Sequence, residues 1–181
     1  MATTGIIFAI NGPIVKTSND SGFEMHEMVY VGEENLVGEV IGLTSDATVI
    51  EVYEETGGIK PGEIVTGTGA PVSVTLAPGI LNNIFDGIER PLSEIAKVDG
   101  TYISRGVSVD SLDTKKLWKT HITVKPGQAI DGGTIIAEVP ETPAILHRVM
   151  LSPNLKGYVL DVVEDGEYTI NDKILTLQLE D

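Results

Sequence analysis

The sequence predicts a mainly β protein: two strand-rich units joined by a connector with one short helix. Short runs rich in Val, Ile, Thr and Tyr recur along the chain, and Gly, Asn, Asp and Pro separate them. This is the pattern of strands joined by tight turns. The runs follow one another too closely for crossover helices, so we expect antiparallel pairing.

The first unit is predicted at residues 1–75. Five or six short strands in so short a stretch favour a small closed antiparallel barrel, because an open sheet of short strands leaves its edges unprotected. The runs that predict these strands are GIIFAI, IVKT, MVYVG, LVGEVIGL, ATVIEVYEE and IKPGEIVTGTG.

The connector is predicted at residues 76–111. Its apolar spacing in LAPGILNNIFDG indicates a short helix with Pro78 near its start, where a missing amide hydrogen costs least, and with Asp86-Gly87 at its end. Ile80, Ile84 and Phe85 would then share one helix face and pack against the barrel.

A second β-rich unit is predicted at residues 112–181, where strand and turn patterns resume and should fold semi-independently. Lys60-Pro61-Gly62 in the first unit and Lys125-Pro126-Gly127 in the second resemble each other. We expect both to be hairpin turns of the same type, in which Pro fixes φ and Gly permits a positive φ.

Composition narrows the range of partners. The 181 residues include 12 Lys and Arg against 27 Asp and Glu, a formal net charge of −15. Such a charge repels nucleic acid phosphates and anionic lipid, so we expect neither nucleic acid nor a membrane surface as a partner. The chain has no cysteine, which excludes disulfides and thiolate metal sites. A soluble protein without a targeting segment is expected.

The sequence predicts no catalytic, cofactor-binding or metal-binding residues. A phosphate-binding loop needs Gly directly before Lys, and this dipeptide does not occur. Gly67-Thr68-Gly69 and Gly132-Gly133 are interpreted as hairpin turns. The histidines His26, His121 and His147 lie far apart without metal-ligand spacing.

The second half also looks like a biotinyl or lipoyl carrier domain, a barrel-sandwich hybrid that presents a lysine on an exposed turn. Its runs VKPGQAIDGGTIIAEV and LSPNLKGYVLDVV carry this likeness. The turn between the two halves, PETPAILHR, contains no lysine, and Lys156 stands in the next turn. An independent carrier-like or adaptor protein without a modified lysine is therefore the alternative function.

A series of longer motifs is more specific. YEETGGI, PGE and LAPGILNNIFDGIERPL follow one another in the first half, and SRGV, LDTKKLW, VKPGQAIDGGTIIAEVPET and HRVMLSPNLKGYV follow in the second. This series resembles the catalytic A subunit of V-type and A-type rotary ATPases over essentially the whole chain. One departure is Ala77, which stands where the family usually has glycine.

The resemblance implies an assembly role. In this family the first barrel joins neighbouring A and B subunits in a ring, and the second unit, called the bulge or non-homologous region, is associated with the peripheral stalk subunits. ATP and magnesium bind a later domain, so the resemblance implies no cofactor here and a chain that is a fragment or truncated form of the catalytic subunit. The chain alone should not hydrolyse ATP. It would lie in the cytoplasm, peripheral to the membrane and without direct membrane contact.

Two aromatic residues are the interface candidates. Tyr102 and Trp118 are selected because exposed aromatic side chains anchor protein interfaces. For Trp118, burial in the local core is the alternative, since a lone tryptophan is more often packed than exposed.

Overall fold

The computed structural model describes residues 3–18, 22–81 and 83–180. The chain forms two compact units, of which the first consists of Met1–Val74 and Glu94–Ser108 and the second of Thr75–Ser93 and Val109–Asp181. Residues 76–111, predicted as a connector, are thus shared between the two units. The boundaries after residues 75 and 111 stay predictions.

The first unit is a barrel of six antiparallel strands. The strands are β1 (Thr4–Asn11), β2 (Ile14–Thr17), β3 (Glu27–Val31), β4 (Leu36–Leu43), β5 (Thr48–Val52) and β6 (Ile64–Pro71). They pair in the closed order β1-β2-β5-β4-β3-β6, which confirms the predicted barrel. Closure gives each of these six strands two neighbours, which protects their backbone edges.

Alternating side chains fill the barrel. Residues at every second position of a strand point to the same face, and the inward set here is mainly aliphatic, with Thr17, Glu27 and Thr48 among its buried polar members. Burying these side chains is the main favourable contribution to the folding of this unit. The buried core consists of Ile7, Val15, Phe23, Val29, Val31, Leu36, Val40, Ile50, Val52 and Val65.

The second unit is also built from antiparallel strands, in two sheets. The strands are β7 (Trp118–Ile122), β8 (Ala129–Asp131), β9 (Ile135–Thr142), β10 (Ile145–Met150), β11 (Lys156–Val162), β12 (Gly166–Tyr168) and β13 (Leu175–Leu179). One sheet has the order β10-β9-β7-β12 and the other the order β13-β11-β8. Their shared core contains Val124, Ile130, Ile136, Leu151 and Val159. A second β-rich unit is thereby confirmed.

The helix of the connector forms at another place than predicted. Helix α1 spans Leu92–Asp99, whereas the described residues of 76–91 form turns and irregular backbone. The carboxylate of Asp86 accepts hydrogen bonds from the amides of Ile88 and Arg90, which fixes a local turn in place of a helical turn. Ile84 is 73% exposed, so the expected buried face of Ile80, Ile84 and Phe85 does not form.

Both Lys-Pro-Gly turns form, but neither joins a hairpin. The amide of Glu63 donates to the carbonyl of Lys60 and that of Gln128 to Lys125, with positive φ at Gly62 and Gly127. The strands on either side of each turn are not neighbours in a sheet, so the hairpin prediction was wrong.

The glycine-rich runs also differ from the hairpin prediction. Gly67-Thr68-Gly69 lies inside β6, where β3 and β6 change register. Gly132-Gly133 does form a turn, but it links β8 to β9 in the other sheet.

Candidate assembly surface

An apolar stripe covers one side of the barrel exterior. Ile6 and Ile64 are direct cross-strand partners on β1 and β6, and both point outward, 61% and 56% exposed. Phe8, two residues beyond Ile6, is exposed on the same face of β1. Tyr30 on β3 pairs with Thr66, the next outward position of β6. We call Ile6, Phe8, Tyr30 and Ile64 the outer stripe.

The outer stripe is not explained by the folding of the barrel itself. Outward positions of a small closed barrel meet water and are usually polar, whereas here large apolar side chains are neighbours on three adjacent strands. Contiguous exposed apolar side chains are typical of surfaces that other proteins cover. Sequence reasoning missed these residues, although the run GIIFAI, apolar at both even and odd positions, is the signal that could have shown them.

A second exposed group lies at the end of helix α1. Tyr102 is 84% exposed, and Val98 and Ile103 beside it in sequence are also exposed. Of the two aromatic interface candidates, Tyr102 therefore presents its ring to solvent. Its role at an interface stays a prediction.

The loop that carries Tyr102 is held at both ends. The carboxylate of Asp99 accepts hydrogen bonds from the amide and the hydroxyl of Ser104. Arg105 makes a two-bond ion pair with Glu34, at 2.7 Å from Nε to Oε2 and 2.8 Å from Nη2 to Oε1. The amide of Gly106 donates to Glu54 at 3.0 Å. Bidentate arginine contacts fix geometry well, so the Tyr102 ring is presented from an anchored loop.

Trp118, the other candidate, is only 7% exposed. Lys116 Nζ lies 3.8 Å from the centroid of its ring, and a Cβ built on Gly79 would come within 3.3 Å of its Cζ2 atom. The indole nitrogen is buried and has no hydrogen-bond partner among the described residues. Within this unit Trp118 is packed, and any contact with another chain stays a prediction.

Each histidine has a carboxylate neighbour. His26 contacts Glu39 at 2.7 Å, His121 contacts Asp165 at 2.6 Å, and His147 lies 3.4 Å from Glu141. The hydrogen bond to Asp165 raises the pKa of His121. Because each contact joins one imidazole to one carboxylate, these pairs do not assemble a metal site, and no group of three metal-ligating side chains occurs within residues 3–18, 22–81 and 83–180.

Glu39 also accepts a hydrogen bond from the hydroxyl of Tyr53 on the barrel exterior. This bond, with a smaller contribution from His26, lowers the pKa of Glu39. The same bond raises the pKa of Tyr53 to about 12. Glu39 therefore stays ionised, and Tyr53 stays neutral, over a wide pH range.

No helix in the described part of the chain is long and apolar enough to cross a membrane.

Comparison with known families matches both units. Residues 7–69, almost the whole set of barrel strands, match the β-barrel domain of the ATP synthase alpha/beta family. Residues 109–181 match the barrel-sandwich domain of the ATP synthase alpha and beta subunits. The chain belongs to the ATP synthase alpha/beta family.

Curated members of the ATP synthase family resemble the chain over nearly all of its length. The V-type ATP synthase alpha chain of Halothermothrix orenii is 48% identical over 178 residues, which cover 98% of this chain and 30% of that protein. The A subunit of the A-type ATP synthase from Methanopyrus kandleri is 46% identical over 177 residues, again 98% of this chain and 30% of the relative. The corresponding A subunit from Pyrococcus abyssi is 46% identical, and 17% of it is covered.

The chain therefore spans less than a third of the length of these ATP synthase relatives. The resemblance to the A subunit of rotary ATPases, seen first in the motif series, is confirmed. The matched regions are the β-barrel and barrel-sandwich domains.

Proposed function

We propose that this chain is the N-terminal assembly region of the A subunit of a V-type or A-type rotary ATPase. In this proposal the barrel joins the barrels of neighbouring A and B subunits in a ring. The observation that carries the proposal is the outer stripe, an exposed apolar surface with the Ile6 and Ile64 pair at its centre, on a barrel of this family. The loop around Tyr102 is a second surface for contact with a partner.

The barrel-sandwich unit is proposed to contact the peripheral stalk subunits, which keep the ring from turning with the rotor. In the intact subunit the two units would support coupling of ATP hydrolysis or synthesis to proton or sodium transport. ATP and magnesium would bind another domain of the same protein. The assembly would lie on the cytoplasmic side, peripheral to the membrane.

Binding to a B subunit of the same organism tests the barrel proposal. Ile6→Ser and Ile64→Ser should each weaken the complex by about tenfold or more, because central apolar side chains dominate interface energies. Ile41→Ser is the matched control, since Ile41 also points outward from the same barrel but on β4. Sedimentation velocity or calorimetry gives the affinities, and circular dichroism checks that each variant is folded. Equal weakening by all three substitutions, or by none, would contradict the proposal.

A second measurement addresses ATP. The isolated chain should show no tight, magnesium-dependent ATP binding in calorimetry. Its sequence lacks the Gly-Lys dipeptide that a phosphate-binding loop requires. A tight magnesium-dependent signal would reject the non-catalytic assignment.

The alternative function is an independent carrier-like or adaptor protein. The β9 to β10 hairpin turn, where a carrier domain would present its lysine, carries Pro143 and Ala144. Lys156 instead begins β11 and pairs with Glu180 at 2.8 Å. Intact mass spectrometry of the natural protein decides between the two: a biotinyl or lipoyl mass increment would favour the carrier.

A further inference from the structure

The segment 76–81 of the second unit has an unusual attachment to strand β9. The backbone amides of Gly79 and Leu81 both donate to one carboxylate oxygen, Oε1 of Glu141, at 2.8 and 3.0 Å. The side chain of Glu141 is only 3% exposed. One acidic side chain, about sixty residues away in sequence, thus holds two amides of a short irregular segment, which we call the strap.

The strap lies against two buried polar atoms that make no hydrogen bond in the described part of the chain. Gly79 packs beside the ring of Trp118, whose Nε1 atom is buried without a hydrogen bond. The second oxygen of Glu141, Oε2, is likewise buried without a hydrogen bond, 3.4 Å from Nδ1 of His147. Each buried polar atom without a hydrogen bond carries a desolvation cost that water would remove. This cost makes the closed position of the strap less stable than its hydrogen bonds and packing contacts alone would make it.

A cavity of about 670 Å³ lies in the same unit, and the strap forms part of its wall. Leu76, Pro78 and Ile80 contribute apolar surface from the strap, and Leu76 is largely exposed. Facing positions come from β7, β9 and β10, including Trp118 and His147. Movement of the strap would change the size and access of this cavity.

We infer that the strap opens and closes one wall of the cavity and that Glu141 is its latch. The hydrogen bonds of the latch are charge-assisted and therefore strong, but they all pass through a single oxygen atom. Loss of that one acceptor frees both amides together. Opening then exposes Trp118 Nε1 and Glu141 Oε2 to whatever enters the cavity, and it requires no change in the sheets.

Amide hydrogen exchange on the whole chain, read by NMR, tests this inference. In the wild-type protein Gly79 and Leu81 should be protected but should exchange faster than Val159, whose amide lies in the core of the second unit. Glu141→Ala should speed exchange at Gly79 and Leu81 by about tenfold or more while Val159 stays within about twofold.

Trp118 provides an independent readout, because it is the only tryptophan of the chain. In Glu141→Ala its fluorescence should shift to longer wavelength and acrylamide should quench it more strongly. Glu138→Ala is the matched control: Glu138 is on the same strand and its partner is Arg148 at 3.8 Å. This variant should leave both readouts unchanged.

Two results would overturn the inference. One is unchanged exchange at Gly79 and Leu81 in folded Glu141→Ala. The other needs no variant: if Gly79, Leu81 and Val159 of the wild-type chain exchange at one common rate, the strap opens only when the unit unfolds. The exchange rates of the wild-type chain therefore test the inference even if Glu141→Ala does not fold.

Discussion

Thr17 on β2 and Thr48 on β5 are cross-strand partners in the barrel, and both are completely buried with hydroxyl groups that lack a hydrogen-bond partner among the described residues. Two buried hydroxyls of this kind bring a desolvation cost without the hydrogen bond that usually offsets it. Threonine has nearly the shape of valine, because its hydroxyl group takes the place of one of the two valine methyl groups. The pair is a local weakness in a mainly apolar core.

Replacing either threonine by valine should stabilise the barrel. Thr48→Val is expected to raise the free energy of unfolding by about 1 kcal/mol, because it removes an unpaired buried hydroxyl and adds apolar burial. Thr120→Val is the control, since the Thr120 hydroxyl donates to the carbonyl of Trp118 at 3.1 Å. This control should show no gain. Urea unfolding followed by circular dichroism gives both values, and a loss of stability in Thr48→Val would contradict the desolvation explanation.

Asp86 should make stability depend on acid pH. Burial raises the pKa of its carboxyl group, but hydrogen bonds from the Arg90 amide and guanidinium and from the Ile88 amide outweigh burial, and the net pKa is lowered. A lowered pKa in the folded state contributes stability above the ordinary aspartate pKa of about 3.9, and this contribution is lost as pH falls through the folded value.

Asp86→Ala should therefore cost about 2 kcal/mol near neutral pH, because it leaves the largely buried Arg90 guanidinium without this carboxylate. The difference from wild type should shrink below about pH 4. Asp113→Ala is the control, since Asp113 accepts backbone amides at an exposed turn. Chemical unfolding at several pH values measures the effect. A difference that stays constant with pH would show that the charge of Asp86 is not its source.

The irregular segment around Asp86 also marks the limit of the sequence prediction. Period-two alternation and turn residues are local signals, and they located the barrel strands and the second β-rich unit. The apolar spacing of Ile80, Ile84 and Phe85 is a local signal too, but hydrogen bonds to Asp86 redirect the backbone, and the helix starts at Leu92 instead. Apolar spacing does not reveal where side-chain hydrogen bonds to backbone amides replace the hydrogen bonds of a helix.

The candidate site was harder to predict than the fold. Outward positions such as Ile6 and Ile64 become neighbours only when β1 and β6, far apart in sequence, close the barrel. The bonds between Glu141 and the strap join residues about sixty positions apart. Tyr102 could be selected from its residue type, whereas its anchored loop depends on Glu34 and Glu54 from distant parts of the first unit.

Gly157 should not tolerate a side chain. It lies in β11 between β8 and β13, and a Cβ atom there would overlap the carbonyl oxygen of Gln178. Gly157→Ala should lower the free energy of unfolding by about 2 kcal/mol or more, because the clash is with backbone and not with a mobile side chain. Gly87→Ala is the control, since no described residue beyond its two chain neighbours has an atom within 4 Å of the new methyl group. This control should change stability by less than about 0.5 kcal/mol. Thermal or urea unfolding compares the two, and similar losses would argue against a steric cause.

Tyr53 should ionise at unusually high pH. Its pKa of about 12 comes first from the hydrogen bond to Glu39, then from burial. Glu39→Gln should bring the pKa back toward about 10, the usual tyrosine value. Glu51→Gln should change it less, since Glu51 acts only through its charge. Ultraviolet difference spectroscopy follows the titration. The raised pKa stabilises the fold below about pH 10, and this contribution disappears as pH rises toward about 12. If Glu39→Gln and Glu51→Gln lowered the pKa of Tyr53 equally, its raised pKa would come from nearby negative charge and not from the hydrogen bond.

The two units are interleaved along the chain, which passes from one to the other after Val74, Ser93 and Ser108. During synthesis the six barrel strands emerge first, but residues 94–108, with Arg105 and its ion pair to Glu34, emerge only after the strap of the second unit. Glu141 comes later still. During translation the strap therefore lacks its Glu141 acceptor until about sixty further residues have been synthesised. The six barrel strands are complete before that point and can pair earlier.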